Sequence, residues 1–213
     1  MIIKVRIFSV TRAADSVVAA NGSLSIIDND QVQFSMLPRS RCSGELVLMV
    51  LSAPGNVIKR DGMRERTRRV EDVQLIFLLG TAEKYQTQLE AEQRVHDDIV
   101  QATVPDSYDT LSYKSLFGFL WIYLKCSEAR YIIKTDDDVT LDLENIKNTL
   151  EWKYGSLSVP DIMECPSVIR NMRPLKQRHS GTIMGKFFIS SQELQRRVYP
   201  DVCFGWLYVT TPR

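Results

Sequence analysis

The chain has 213 residues, enough for one domain with a sizeable core or for two small ones. Apolar residues make up 44% and charged residues 25%, close to the globular average, and the formal net charge is +1. That balance excludes the strong basic excess of a general nucleic-acid binder. The longest uninterrupted apolar run, L-V-L-M-V-L, is far short of a membrane span. Lys4 and Arg6 interrupt the apolar N-terminus, where a signal peptide needs an unbroken stretch.

In chain order, residues 1–44 show no sustained period. Short β-like runs at 2–10 and 31–36 are separated by Asn-Gly and Asp-Asn-Asp turn signals, which predicts an N-terminal extension or a loosely attached strand pair. Asn21-Gly22-Ser23 also fits an N-glycosylation triplet, one that is common by chance. From Glu45 the pattern becomes regular. Residues 46–51 predict a strand buried on both faces, broken by Ser52-Ala53-Pro54-Gly55. Asn56 is placed to cap a helix running to about Val70. Residues 73–79 predict a second buried strand, ended by Gly80. Residues 85–100 read as a helix with Leu89, Val95 and Ile99 on one side. Residues 112–124 read as a buried helix, apolar almost all round, with Trp121 and Tyr123 in the core. A third strand at 131–133 runs into three aspartates, and 143–152 predicts another helix. After Gly155 the chain is loop-like through 158–174, with short strands at 186–190 and 206–211.

This alternation predicts an α/β fold with a mostly parallel sheet and helices on both faces. Ligands of such sheets bind beyond the carboxyl ends of the strands. Ser52-Ala53-Pro54 and Asp136-Asp137-Asp138 both fall at strand carboxyl ends and are expected to face one crevice. The four cysteines, Cys42, Cys126, Cys165 and Cys203, form no C-x-x-C pair, which argues against zinc. They leave two readings open: buried thiols, or any of three pairings in an oxidising compartment.

The stretch Y-I-I-K-T-D-D-D-V-T-L raises the functional question, because three adjacent carboxylates need something positive on them. One answer is water and nearby lysines around a strand-end loop. A second is a haloacid-dehalogenase-type phosphatase, whose D-x-D-x-T signature Asp136, Asp138 and Thr140 match literally; there the first aspartate attacks phosphorus. The later acidic pair that this chemistry needs does not follow. A third is Mg²⁺ or Mn²⁺ shared between one or two carboxylates and the phosphates of a nucleotide. A metal held by Asp138, with Asp136 or Asp137 assisting, would act as a Lewis acid on a departing diphosphate. A calcium loop of the EF-hand type is excluded, since Leu141 and Lys147 stand where Gly and Glu are required.

Ordered pieces narrow the choice. Leu48-Met49-Val50-Leu51-Ser52-Ala53-Pro54, the spacing of Arg60, Met63, Arg64 and Thr67, the strand 73–80, Glu92 with Asp97-Asp98-Ile99, Asp106-Ser107-Tyr108, Leu111 to Ser115, Lys134 to Val139, 186–190, and Tyr199-Pro200 with Cys203, Gly205 and Tyr208-Val209 occur in sequence. Together, from Glu45 to Val209, they resemble glycosyltransferase family 31, the β-1,3-galactosyltransferases and β-1,3-N-acetylglucosaminyltransferases related to Fringe. The resemblance implies a GT-A-type, Rossmann-like fold over 45–213, with 1–44 as an N-terminal extension. It implies inverting transfer of galactose or N-acetylglucosamine from a UDP-sugar to a glycan on a glycoprotein or glycolipid, in the Golgi lumen or at its membrane, with Mn²⁺. It assigns Ser52, Ala53, Pro54, Arg60, Arg64, Asp106, Lys134, Asp136 and Asp137 to the nucleotide sugar, and Asp136 and Asp138 to the metal.

For Arg60 and Arg64, near a helix start, donor contact is the expectation; Arg68 and Arg69 are expected on a solvated face. Asp106 and Tyr108 are turn formers or supports of the nucleotide site. Lys114 opens a buried helix, where a lysine ordinarily stretches to solvent. The chain departs from the family pattern at Arg68, where Trp is usual, at Asp109-Thr110-Leu111, and at Gly205-Trp206-Leu207, where bulk is expected to crowd the donor or acceptor pocket. Family members continue into an acidic segment that supplies the general base and often a late His. No residue up to Arg213 is assigned as base, so the resemblance implies a donor-binding half cut short at its C-terminal end, without a visible membrane anchor. A non-catalytic UDP-sugar-binding remnant is the alternative.

Overall fold

The computed structural model describes residues 23–26, 30–155, 161–176, 188–192 and 194–212. The run at 2–10, Asn21 of the glycosylation triplet, and Lys186 and Phe187 of the strand expected at 186–190 lie outside the described residues. The described strands are β1 (Ser23–Ile26), β2 (Asp30–Met36), β3 (Leu46–Leu51), β4 (Val73–Thr81), β5 (Ile99–Pro105), β6 (Tyr131–Asp136), β7 (Met163–Glu164), β8 (Val168–Ile169), β9 (Val202–Cys203) and β10 (Leu207–Thr210). The helices are α1 (Val57–Thr67), α2 (Gln86–His96), α3 (Leu111–Lys125) and α4 (Leu143–Tyr154).

One sheet takes the order β1-β2-β5-β4-β3-β6-β10-β7. Its centre, β5-β4-β3-β6, is parallel, and antiparallel strands flank it on both sides. The cause is visible in β3. All six of its residues are buried, because both faces are covered. Leu46, Leu48 and Val50 face a core completed by Met63 of α1, Leu89 of α2 and Leu143 and Leu150 of α4. Val47, Met49 and Leu51 face Trp121 and Ile122 of α3. Gly118 lets α3 approach that closely: a Cβ there would stand 2.4 Å from Leu78 Cδ1 and 2.6 Å from Met49 Sδ. No helix among the described residues is long and apolar enough to cross a membrane.

Several expectations are corrected. The helix read over 85–100 stops at His96, and Ile99–Pro105 is instead a strand buried beside β4. Asp97 ends the helix in the left-handed conformation, φ 54°, its carboxylate accepting from the backbone N–H groups of Arg39 and Ser40 at 2.9 and 2.7 Å. Val95 therefore points to solvent, whereas Leu89 and Ile99 are fully buried. The helix expected to reach Val70 ends at Thr67. Helix α3 is not buried all round: Leu116, Tyr123 and Leu124 are exposed, while Trp121 is core. In the stretch at 186–190, Phe188 makes an isolated bridge to Leu175 and Ile189 is buried. The strand pair β1-β2 joins the main sheet through β5.

The cysteine question resolves to two disulfides. Cys42–Cys126 ties the segment before β3 to the C-terminal end of α3, and Cys165–Cys203 joins the β8-β9 pair.

Candidate functional site

The carboxyl ends of β3, β4, β5 and β6 converge on one edge of the sheet. Register puts Leu51 of β3 beside Leu78 of β4 and Asp136 of β6, and Asp137 N–H extends the ladder to Leu51 O at 3.0 Å. Ser52, Ala53, Pro54, Asp106, Lys134 and the three aspartates are thus gathered at one place, as the topology required.

The three aspartates meet different partners. Asp137 is buried and fully engaged. Its Oδ2 accepts from Ser52 Oγ at 2.7 Å and from Asn56 Nδ2 at 2.8 Å, and its Oδ1 accepts from Lys59 Nζ at 3.1 Å. Burial pushes the Asp137 carboxyl up, but the bonds from Asn56, Ser52 and Lys59 outweigh it and hold the group below its ordinary value. Asp136 is half-exposed; one oxygen accepts from Lys134 Nζ at 2.7 Å. Lys134 also donates to Gly205 O, and its burial lowers its pKa despite Asp136. Asp138 is 69% exposed, and its recorded charge partner is Lys59 at 3.9 Å. The lysines on the acid edge, Lys59 and Lys134, therefore balance the cluster only in part, and unevenly.

Asn56 occupies the N-cap position of α1, but its amide goes to Asp137 and makes no cap bond. Lys114 is also corrected. It does not reach solvent; its buried ammonium donates to Ser52 O and to Asp106 Oδ2, both at 2.9 Å. Asp106 Oδ2 accepts in addition from Gly80 N–H at 2.8 Å. Gly80 must lack a side chain here, since a Cβ would lie 2.7 Å from Val104 O and 2.8 Å from Asp106 Cα. Lys114 and Asp106 thereby stitch the ends of β3, β4 and β5 together.

The two arginines expected at the donor are bonded to the protein itself, Arg60 beneath the Ser52-Ala53-Pro54 turn and Arg64 further from it. Arg60 is fully buried. Its Nε and Nη2 donate to Glu92 at 2.7 and 2.6 Å, Nη1 donates to Ser52 Oγ at 3.1 Å and Ala53 O at 2.7 Å, and Nη2 also reaches Pro54 O at 3.2 Å. A guanidinium has five N–H groups, so Arg60 has none left for a phosphate. It holds the Ser52-Ala53-Pro54 turn from beneath. Arg64 binds Asp98 through Nε and Nη2 at 2.7 and 2.8 Å, and Glu92 and Asp61 at 2.6 and 2.7 Å, with its guanidinium 5.0 Å from the Phe77 ring centroid. Burial would lower the Arg64 pKa, but Asp98, Glu92 and Asp61 raise it further. Glu92 likewise stays below its ordinary value: burial raises it, and Arg60 and Arg64 more than compensate. Arg64 lines a hollow with Thr67, Asp72 and Asp98 at the amino ends of β4 and β5, away from the acid edge, where the charges pair with one another. Arg68 and Arg69 are solvent-exposed beside Glu65, as expected.

Strand β10 closes the other side. Thr135 Oγ1 donates to Trp206 O at 3.1 Å, and Tyr208 pairs with Lys134. Burial and the Asp136 charge push the Tyr208 hydroxyl up to about 12. Of the bulky step expected to crowd the crevice, Leu207 turns into the core, and Trp206 remains half-exposed. Sequence reasoning missed Lys59, which sits between recognisable positions and carries no motif of its own.

These residues fit a metal of the hard-oxygen type. Asp138 is exposed, with one oxygen paired only loosely to Lys59, and Asp136 keeps one oxygen off Lys134; among the described residues no group of three or more His, Cys, Asp or Glu side chains is arranged to hold a metal ion by itself. One or two carboxylates with the remaining sites left to phosphate is how Mg²⁺ and related ions are commonly held.

A mostly parallel central sheet flanked by helices, with carboxylates gathered at its strand ends, is consistent with a GT-A-like fold. Residues 55–213 match the family model described as Galactosyltransferase, and the chain belongs to that family. Beta-1,3-galactosyltransferase 4 of Mus musculus is 38% identical over 116 residues, covering 52% of this chain and 31% of that protein. Lactosylceramide 1,3-N-acetyl-beta-D-glucosaminyltransferase of Homo sapiens is 27% identical, covering 83% and 49%. Beta-1,3-galactosyltransferase 5 of Gorilla gorilla gorilla is 29% identical, covering 87% and 62%. The chain thus spans between about a third and three-fifths of the curated relatives it matches.

Proposed function

We propose that this chain binds a UDP-sugar and takes part in inverting β-1,3-hexosyl transfer of galactose or N-acetylglucosamine to a glycan on a glycoprotein or glycolipid. The observation that carries the reading is the contrast within the triple acid of a galactosyltransferase-family chain: Asp137 is bonded inward, and Asp138 is open. Asp138 and the free oxygen of Asp136 would hold Mn²⁺. Bound there, the metal supplies Lewis-acid neutralisation of the departing diphosphate. The chain's own residues fix that edge. Asp137 latches β6 to the Ser52 turn, Arg60 supports the turn through Ala53 and Pro54, and Lys134 orients Asp136. Asp106 acts through Lys114 and is a positioning residue; Arg60 and Arg64 are positioning residues as well. The donor-binding domain is taken as 45–213, with 1–44 as its extension. Two disulfides suit an oxidising compartment and support residence in the Golgi lumen or at its membrane.

A second reading, donor binding without transfer, draws on three of the acids that follow Asp138. Asp142 caps α4, Glu164 is bonded to Lys153 and Tyr154, and Asp201 is exposed beside Arg170. None of these stands ready to deprotonate an acceptor hydroxyl. The phosphatase alternative gains no support from family membership. The test is incubation of the chain with UDP-galactose or UDP-N-acetylglucosamine, Mn²⁺ and a glycan acceptor. Sugar transfer that chelation abolishes is the expected result of the first reading. UDP uptake that needs Mn²⁺ without transfer selects the second, and no uptake at all overturns both.

A further inference from the structure

Lys59 belongs to none of the motifs that the family resemblance uses, yet it stands closest to the open carboxylate. Its Nζ lies 3.1 Å from Asp137 Oδ1 and 3.9 Å from Asp138 Oδ2, and its side chain is 44% exposed. Asp137 does not need Lys59 alone for its burial, since Ser52 and Asn56 already donate to it. An ammonium has three N–H groups, and one of them is used on Asp137. Lys59 projects from the first turn of α1. That turn carries no acidic residue, and its N-cap side chain bonds Asp137 instead of capping the helix.

We propose that Lys59 is a diphosphate-binding residue, whose ammonium meets the phosphate oxygens that a nucleotide would share with a metal on Asp138. The proposal rests on the UDP-sugar reading above. Its physical basis is a conflict of charges. A divalent ion on Asp138 and the ammonium beside it repel each other at this separation. An anion between them removes the conflict and gains a charge-assisted hydrogen bond. Lys59 therefore opposes the bare ion and favours the ion with its nucleotide, which ties metal uptake to nucleotide uptake. One substitution should then have effects of opposite sign on the two ligands, which a purely structural lysine would not.

The experiment uses the full chain, wild type and Lys59→Met, with Lys59→Gln as a second variant that can still donate to Asp137. UDP and UMP are titrated by calorimetry in the presence of Mn²⁺, and Mn²⁺ alone is titrated by electron paramagnetic resonance. Loss of UDP affinity by about tenfold or more is expected in both variants, the size of a charge-assisted hydrogen bond. Affinity for UMP, which lacks the second phosphate, should be nearly unchanged, and affinity for Mn²⁺ alone should rise. Unchanged UDP affinity in a variant that folds, or equal losses for UDP and UMP, overturns the assignment of Lys59. Absence of Mn²⁺-assisted UDP uptake by the wild type instead overturns the UDP-sugar reading itself.

Discussion

Two charged clusters lie on either side of the Ser52-Ala53-Pro54 turn, and they are built to opposite specifications. Beneath the turn, Arg60 and Arg64 face Glu92 and Asp98 in a closed arrangement in which Arg60 uses all five donors on the protein. Above it, the acid edge is half finished: Asp137 is saturated, Asp136 has one anchored oxygen, and Asp138 lies open with an ion pair to Lys59. A buried charged group left without partners is costly, so the closed cluster must be complete to exist at all. An exposed carboxylate pays no such penalty and remains free for an outside cation. Completeness goes with burial here, and incompleteness with exposure. The arginines that sequence reasoning gave to the donor fall on the buried side of that line.

The largest expected effect comes from opening the closed cluster. Arg60→Ala leaves Glu92 without its main partner and cuts the support under the turn, so unfolding in denaturant should show a loss of about 3–5 kcal/mol. A loss below about 1 kcal/mol would mean that the cluster is not the support described.

A smaller effect should appear on acidification. Glu92 and Asp137 both titrate below their ordinary values in the folded chain, from 4.5 and 3.8. The unfolded chain therefore binds more protons in the acid range, and stability falls as pH drops. Their contribution is complete above about pH 4.5 and is lost as the pH falls through their lowered folded values. Denaturant midpoints between pH 6 and pH 3 check this in Glu92→Gln, which should show a shallower decline than the wild type; equal slopes would contradict the assignment.

Much of this arrangement was legible in the sequence, and the failures have physical causes. Strands β3, β4 and β6 read clearly because central parallel strands, covered on both faces, become continuous apolar runs. Strand β5 was missed because the helix before it ends at Asp97, which adopts the left-handed conformation without the glycine that usually signals it. The acid edge was legible as a place, since strand-end carboxylates in an α/β pattern point to one crevice. The partners of each carboxylate were not. Asp137 finds Ser52, Asn56 and Lys59 at sequence separations of 85, 81 and 78, and no local pattern encodes such pairs. For the same reason Lys114 read as a solvent-reaching lysine, although Asp106 and the carbonyl of Ser52 bury it. The cysteine pairing was undecidable for want of distances, which the fold then supplied.

The most direct test is calorimetric titration of UDP, with and without Mn²⁺, into the wild type and Asp138→Ala. Asp138 is exposed and bonded to nothing that the fold needs, so the variant should keep its stability within about 0.5 kcal/mol. The account predicts that Mn²⁺ strengthens UDP binding in the wild type and that this strengthening disappears in the variant. UDP binding that ignores Mn²⁺ in the wild type, or that Mn²⁺ strengthens equally in both proteins, would contradict it.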